Sequence, residues 1–266
     1  ATVTIAFTAG AIVYFATVAW TVFSTEEYPP EDLEAFEREN NDSGTFDSFK
    51  EIYAAFREMP EAMGKLAWVQ FFSWFGMFCV FLYFPPAIAR NIFGAVSESS
   101  ELYAEGIEWA GICIAAYNVI CTVVAFLLPR LADRIGRKNT HAFGLFCGAT
   151  GLVSLWFIHD PYLVLISTVG LGIAWSSLLS MPYAMLVSAV PEERTGVYLG
   201  IFNAFIVIPQ IVAALGFGWV MQQFLGDDRL LAVVCGGIAM LVAAVLTGRI
   251  DEGEVVDVKE SMNYEG

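Results

Sequence analysis

The long apolar stretches of this sequence contain no Asp, Glu, Lys or Arg. The 28 acidic and 13 basic side chains lie between or at the ends of those stretches, although 57% of the 266 residues are hydrophobic. An ionised side chain at the centre of a bilayer costs roughly 2.5–3.5 kcal/mol, so the pattern is typical of a membrane protein. The net charge of −15 belongs to the loops and does not indicate a nucleic-acid partner. An intramembrane hydrolase is excluded for want of an acid–base pair at depth, and we expect no enzyme and no catalytic residue.

Histidine is scarce, and the cysteines are not paired in sequence. The only two histidines, His141 and His159, lie at the ends of apolar stretches. The five cysteines lie inside such stretches with no C-x-x-C spacing, which is typical of small apolar core residues. The sequence therefore predicts no metal site, no disulfide set and no cofactor.

Seven stretches are long and apolar enough to cross a bilayer, which takes about 20 residues at a rise of about 1.5 Å each. They predict seven transmembrane helices and an all-α integral membrane protein. The predicted spans are Ala1–Phe23, Leu66–Ala89, Trp109–Leu128, Thr140–Ile158, Tyr162–Val190, Val197–Leu225 and Leu230–Gly248.

Basic residues concentrate on one side of the predicted membrane. Eleven of the 13 Lys and Arg fall in the intervals 24–65, 129–139, 191–196 and 249–266, and only Arg90 and Arg229 fall in the others. By the positive-inside rule the first set is cytoplasmic, so we expect the C-terminus inside and the N-terminus outside. The first span has no initiator Met, basic flank or cleavage pattern, so we interpret the chain as a fragment that lacks upstream helices.

The interval 24–64 is a long, acidic connector. Within it, Phe46, Phe49, Ile52, Tyr53, Phe56 and Met59 recur at helical spacing, and Ser43 or Asp42 could be the N-cap. This pattern predicts a short amphipathic helix on the cytoplasmic face, with a partner-binding helix as the alternative. The predicted division is a helix at 1–23, a central cytoplasmic loop at 24–64, a six-helix bundle at 65–250 and an acidic cytoplasmic tail at 251–266.

The short loop Leu128–Lys138 reads L-P-R-L-A-D-R-I-G-R-K. Its D-R-x-G-R-K spacing resembles the loop signature found between the second and third helices of each half of major facilitator superfamily transporters. The resemblance implies that Asp133 caps a neighbouring helix N-terminus and that Arg134 and Arg137 bridge to acids across the bundle, which locks one face shut. The Gly usual four residues before the Asp is replaced by Pro129.

A second turn, V-P-E-E-R-T-G at Val190–Gly196, follows the fourth helix of the set of six. It is similar to a Pro-Glu-x-Arg-type turn in the same position of that superfamily. The resemblance implies that Glu192 or Glu193 and Arg194 pair with Arg134, Arg137 or Asp133 as part of the gate. Ordinary solvated turn charges are the alternative.

Three further segments narrow the resemblance. Trp68–Phe78, Gly172–Leu186 and Gly196–Ile211 look like sucrose/maltose-type transporters of the glycoside–pentoside–hexuronide:cation symporter group. This implies the C-terminal six-helix half of a twelve-helix transporter plus the preceding helix. It also implies proton-coupled uptake of a disaccharide or related glycoside, with the missing N-terminal helices and the lipid bilayer as partners.

Neutral polar and aromatic residues inside the spans are the candidate sugar contacts, because sugars are bound by hydrogen-bonding groups and aromatic faces. Hydrogen bonding between helices is the alternative, above all for Asn118 on the third span and for Asn203 and Gln210 on the sixth. Pro182 and Pro209 interrupt two of the helices near mid-membrane. The candidates are Gln70, Ser73, Trp74, Tyr117, Asn118, Trp175, Ser176, Ser177, Ser180, Tyr183, Asn203 and Gln210.

Two small-residue pairs, Gly144-x-x-x-Gly148 and Gly196-x-x-x-Gly200, predict close approach of helix backbones. We expect no Asp, Glu, His, Lys or Arg in the interior of these spans, so we expect the proton-coupling carboxylate in the missing helices.

The leading hypothesis is a secondary transporter that works by alternating access in the plasma (inner) membrane. A seven-helix receptor or sensor fits the count of spans, although the last helix has no Lys for a retinal Schiff base. A half-sized protein that pairs with another chain is a third possibility.

Overall fold

The computed structural model describes residues 2–25, 45–190 and 194–250, and all of its regular elements are helical. The first helix, α1 (Thr2–Ser24), is apolar along its whole length, and its side chains are almost all exposed. The second, α2 (Thr45–Arg57), is the short helix predicted in the connector. Its predicted caps, Asp42 and Ser43, lie outside the described residues.

Six long helical segments follow, and with α1 they confirm the seven predicted spans. Three of the six segments include a short turn of a different helical type. In chain order the segments are α3 (Glu61–Ala87) followed by a π turn at Ile88–Ile92; α4 (Glu101–Ile135); α5 (Arg137–Ser154) followed by a 3₁₀ turn at Leu155–Phe157; α6 (Pro161–Ala189); α7 (Thr195–Val212) joined by a π turn at Ala213–Phe217 to α8 (Gly218–Phe224); and α9 (Arg229–Thr247).

Side-chain caps explain where three of the helices begin. Ser100 Oγ accepts from the Tyr103 amide at 3.2 Å at the start of α4. Asp160 caps α6 through the Tyr162 amide, and Asp228 caps α9 through the Leu230 amide, each at 2.8 Å. These caps satisfy amides that would otherwise lack a partner at the helix ends.

The six spans of the bundle form two sets of three, and equivalent helices of the two sets have equivalent packing partners. The segments α3–α5 form one set and α6–α9 the other, in which α7 and α8 together form one long span. The main packing of α3 against α9 corresponds to that of α6 against α5, and α4 against α6 corresponds to α7 against α3. Because equivalent helices are three positions apart in the order of the spans, and each span reverses the direction of the chain, the two sets run in opposite directions, as in inverted repeats of secondary transporters.

Glycines at three of these interfaces leave no room for a side chain. A Cβ at Gly76 of α3 would lie 2.6 Å from the Gly236 carbonyl oxygen of α9. One at Gly144 of α5 would lie 2.6 Å from Ser177 Cβ of α6, and one at Gly172 of α6 would lie 2.7 Å from the Tyr117 carbonyl oxygen of α4. Close packing at Gly144 agrees with the predicted small-residue contact.

The other small-residue pair behaves differently. A Cβ at Gly196 or Gly200 of α7 would meet no atom of the described chain within 4 Å. The prediction of a close helix approach there is therefore wrong for the described residues. The spacing of small residues permits close packing, but it does not say which face of a helix has a neighbour.

Candidate functional site

The candidate sugar contacts on α3 and α6 meet near the middle of the bundle. With a rise of about 1.5 Å per residue, Trp74 lies about 20 Å along α3 from Glu61, and Trp175 lies about 21 Å from the far end of α6. The two rings pack edge to face with centroids 5.8 Å apart. Phe81, two turns further along α3, packs on Trp175 at 5.7 Å. The sequence therefore brings an aromatic cluster to mid-depth, as a site between two halves would need.

Polar groups beside this cluster are deeply buried. Gln70 and Ser73 are 0% exposed, and Ser73 Oγ donates to the Val69 carbonyl oxygen at 2.8 Å. Gln70 Oε1 lies 3.4 Å from Ser73 Oγ, so the other end of the amide, Nε2, points elsewhere. Gln70 Nε2 and Trp74 Nε1 have no hydrogen-bond partner among the described residues. Such groups are rare in native proteins and require an explanation.

Two further candidates at this depth are buried. Ser176 is 3% exposed, and its hydroxyl has no nitrogen or oxygen partner among the described residues, although the Cys121 thiol, a weak acceptor, lies beside it. Tyr117 is 5% exposed, and its backbone lies against Gly172 of α6. The packing of α4 against α6 therefore covers these side chains, whereas Trp175 remains partly exposed.

Apart from Ser177, which is 0% exposed, the remaining candidates are more accessible. Tyr183 stacks on Phe202 at 5.2 Å, and its hydroxyl donates a long hydrogen bond of 3.4 Å to Asn203 Oδ1, which links α6 to α7. Ser180 Oγ donates to the Ser176 carbonyl oxygen at 2.8 Å within α6. Asn118 is exposed and donates to Ile114 within α4, and Gln210 is half-buried. Of the three residues expected to bond between helices, only Asn203 does so within the described chain.

The loop motif after α4 makes a sharp break between two helices. Gly136 has φ +85°, a region that favours glycine, and it ends α4 and begins α5. Arg137 then donates to the Ala184 carbonyl oxygen at 2.9 Å and to Ser188 Oγ at 3.1 Å near the end of α6. Asp133 and Arg134 are exposed, and their side chains make no hydrogen bond or ion pair within residues 2–25, 45–190 and 194–250. The gate roles implied for them stay predictions.

The second turn has a partner that the sequence did not indicate. Arg194 Nη1 lies 2.8 Å from Glu58 Oε2, and its guanidinium lies 5.8 Å from the centre of the Tyr198 ring. Glu58 follows α2, 136 positions earlier in the chain. From the sequence, Arg194 was expected either to pair with Asp133 or to be an ordinary solvated charge of the turn. Glu192 and Glu193 lie outside the described residues.

His141 corrects the expectation that no Asp, Glu, His, Lys or Arg lies in the interior of the spans. It is 0% exposed and sits between α5 and α6. Its Nδ1 is 2.9 Å from Ser177 Oγ, and its Nε2 has no partner in the described chain. The hydropathy pattern hides this because α5 begins at Arg137, so that His141 already lies one turn inside the helix. No group of three or more His, Cys, Asp or Glu among the described residues could hold a metal ion.

A separate groove lies where the end of α2, the start of α3 and the middle of α7 meet. Its volume is about 580 Å³, and its walls are mostly apolar. It contains none of the candidate sugar contacts. The lining residues are Phe56, Met59, Pro60, Glu61, Gly64, Lys65, Ala67, Trp68, Phe71, Phe205, Ile208 and Pro209.

The chain is similar in sequence to known proteins. The chain matches the profile of the Major Facilitator Superfamily over residues 2–214 and again over 66–261. It is 24% identical over 270 residues to sucrose transport protein SUT5 of Oryza sativa subsp. indica, covering 89% of this chain and 50% of that protein. It is 26% identical over 258 residues to sucrose transport protein SUC4 of Arabidopsis thaliana, covering 88% and 50%.

A third relative covers less. Sucrose transport protein SUC3 of Arabidopsis thaliana is 25% identical over 222 residues, which is 73% of this chain and 37% of that protein. The chain thus spans about half the length of the first two relatives. The receptor alternative is not favoured by these matches. The chain belongs to the major facilitator superfamily, a family of membrane transporters and not of enzymes.

Proposed function

We propose that this chain is the C-terminal part of a secondary transporter that takes up a disaccharide or a related glycoside. The observation that carries the proposal is the cluster at mid-depth, where aromatic rings and uncharged polar groups meet and two N–H donors lack a partner. A sugar needs both, because rings cover its C–H faces and polar groups bond its oxygens. The names of the relatives, all sucrose transport proteins, support the same substrate class.

The proposed mechanism is alternating access, in which two halves rock about a site at the midplane. The six-helix bundle would form one half, and α1 with helices outside this chain would form the other, since the chain spans about half of the relatives' length. The charged groups at the ends of α4 and α7 would hold one face closed, since ion pairs and caps at helix ends can be broken by rocking.

Proton coupling requires a group that changes its protonation at depth. The described spans carry no Asp or Glu there, and His141 is sealed between α5 and α6. The proposal therefore assigns the coupling carboxylate to the N-terminal helices. The orientation with a cytoplasmic C-terminus, and residence in the plasma (inner) membrane, rest on the distribution of basic residues.

Uptake by proteoliposomes that contain the complete transporter tests the proposal. We expect saturable uptake of labelled sucrose or maltose, stimulated by an inward proton gradient. Trp175→Ala should reduce uptake, because Trp175 is a partly exposed ring that contacts both other rings of the cluster. Trp156→Ala, an exposed ring at the far end of α5, is the matched control and should leave uptake unchanged. No uptake of any glycoside, with or without a gradient, would refute the proposed substrate.

The chain alone should not transport, because a site between two halves would lose one wall. Flux measurements with the 266-residue chain in the same vesicles test this expectation. Saturable sugar uptake by this chain alone would contradict it.

A further inference from the structure

The middle of α6 contacts three different helices through three consecutive residues. Successive residues of an α-helix point about 100° apart, so a rotation of this segment about its axis moves all three contacts together. The contacts are those of Trp175 with Trp74 of α3, of Ser176 with the Cys121 thiol of α4, and of Ser177 with His141 of α5.

The seam between α5 and α6 is made of small residues, which do not interlock. A Cβ at Gly148 would lie 2.5 Å from Ala174 Cβ, and one at Gly151 would lie 2.5 Å from the Ser167 carbonyl oxygen. Such surfaces let two backbones approach closely, but they have no ridge of side chains that fixes how one helix is rotated against the other. Arg137 ties the last turns of α6 to α5, so the rotation of its middle depends on hydrogen bonds further along the seam.

Two side-chain hydrogen bonds further along this seam differ in their distance from Trp175. Ser154 Oγ and Ser167 Oγ lie 2.8 Å apart, and His141 Nδ1 and Ser177 Oγ lie 2.9 Å apart. At a rise of about 1.5 Å per residue, Ser167 lies about 12 Å along α6 from Trp175, whereas Ser177 lies about 3 Å from it. Of the two bonds, the one between His141 and Ser177 is therefore placed to control the orientation of the Trp175 ring.

Ser177 turns its hydroxyl away from its own helix and toward His141. A Cβ at Gly144 of α5 would lie 2.9 Å from Ser177 Oγ, whereas Ser180 Oγ of α6 donates to the carbonyl oxygen one turn back. The Ser177 hydroxyl has no other partner among the described residues, so its hydrogen goes to His141 Nδ1. A buried imidazole whose Nε2 lacks a partner is a poorer core filler than a phenyl ring. The bond to Ser177 is what the imidazole supplies and a hydrocarbon would not.

We propose that His141 is a positioning residue for the sugar site. Through Ser177 it fixes the rotation of α6, and it thereby holds the Trp175 ring in the orientation that contacts the transported glycoside. His141 itself does not touch the sugar, because its side chain is 0% exposed. Without the bond, α6 occupies further rotations, and binding weakens in proportion to the fraction of molecules that keep the ring in place. The inference rests on the proposed transport of a glycoside.

Kinetics of sugar uptake by the complete transporter in proteoliposomes test this role. His141→Phe fills the same space without an acceptor, and it should raise the KM for labelled sucrose or maltose about three- to tenfold, as the loss of one hydrogen bond allows. The maximal rate per transporter in the membrane should stay within about twofold of the wild-type rate. His141→Asn keeps an acceptor near the position of Nδ1, and it should restore most of the wild-type KM.

Ser154→Ala is the matched control. It breaks a bond of similar length across the same seam but far from Trp175, so its KM should stay at the wild-type value even where it lowers Tm. Ser177→Ala removes the other partner of His141, and it replaces His141→Phe where that variant does not reach the membrane. A bond that only stabilises the fold would reduce the amount of folded transporter and leave the KM unchanged in all of these variants.

A second measurement needs no transport. In the complete transporter labelled with fluorotryptophan, the fluorine NMR resonance of Trp175 is assigned by its loss in Trp175→Phe. This resonance should shift or split in His141→Phe, return in His141→Asn and stay in place in Ser154→Ala.

The outcomes separate this inference from the function on which it rests. A wild-type KM in both His141→Phe and Ser177→Ala, or an unmoved Trp175 resonance, would overturn the positioning role while transport remains. Absence of all glycoside uptake by the wild type would overturn the proposed function and, with it, the assignment of Trp175 to a sugar site.

Discussion

Packing at Gly76 gives the sharpest prediction about stability. A Cβ there would lie 2.6 Å from the Gly236 carbonyl oxygen and 2.9 Å from Met240 Cγ, whereas ordinary contact begins near 3.4 Å. Gly76→Ala must therefore move α3 and α9 apart by about 0.8 Å, the difference between 3.4 and 2.6 Å. Because the obstructing atom is backbone, a rotamer change cannot relieve the clash. Overpacking of this kind costs about 1–3 kcal/mol.

A thermal melt of the purified chain in lipid nanodiscs measures this cost. For a protein of this size, 1 kcal/mol shifts Tm by about 2–4 °C, so Gly76→Ala should lower Tm by about 2–12 °C. Gly200→Ala is the matched control, because a Cβ there meets no described atom within 4 Å, and its Tm should stay the same or rise slightly. Equal losses for the two variants would refute the assignment of Gly76 to a tight helix interface.

Three other predictions concern polar contacts and orientation. A double-mutant cycle of Arg194→Gln and Glu58→Gln should give a coupling of at most about 1 kcal/mol, because both side chains are partly exposed; a coupling above 3 kcal/mol would contradict this. Ser177→Ala should destabilise the chain by about 1–3 kcal/mol in the same melts, because it leaves His141 Nδ1 buried and unpaired, and an unchanged Tm would count against that bond. A cysteine at Ser99 should react with an impermeant maleimide outside right-side-out vesicles and one at Arg194 should not, and the reverse pattern would invert the orientation.

Hydropathy was sufficient to predict the helices but not their full length. All seven spans are confirmed, yet α4 runs from Glu101 to Ile135, well beyond the predicted Trp109–Leu128. A helix does not end where its apolar side chains end, because backbone hydrogen bonds continue until a cap such as Ser100 or a break such as Gly136. The same boundary effect hid the burial of His141.

Contacts between helices lay beyond the sequence. Residue type was informative, because both Trp74 and Trp175 were predicted as sugar contacts. The sequence did not indicate how α3 and α6 are rotated about their axes, which is what brings the two rings together. Glu58 was missed because partners 136 positions apart have no local pattern. The two glycine pairs have identical spacing, but only Gly144 and Gly148 contact another helix. The spacing does not determine whether a second helix packs against that face.

The uneven packing of the two inverted repeats has a mechanical consequence. The span formed by α7 and α8 has Pro209 and then the π turn Ala213–Phe217, with Gly216 and Gly218 in open space, whereas its counterpart α4 is one uninterrupted helix pressed against Gly172. Bending is easiest where a helix already lacks a regular hydrogen bond and touches few neighbours. We therefore expect the span formed by α7 and α8 to bend near Pro209 and the π turn before its counterpart α4 bends, so that the two equivalent spans would not move alike.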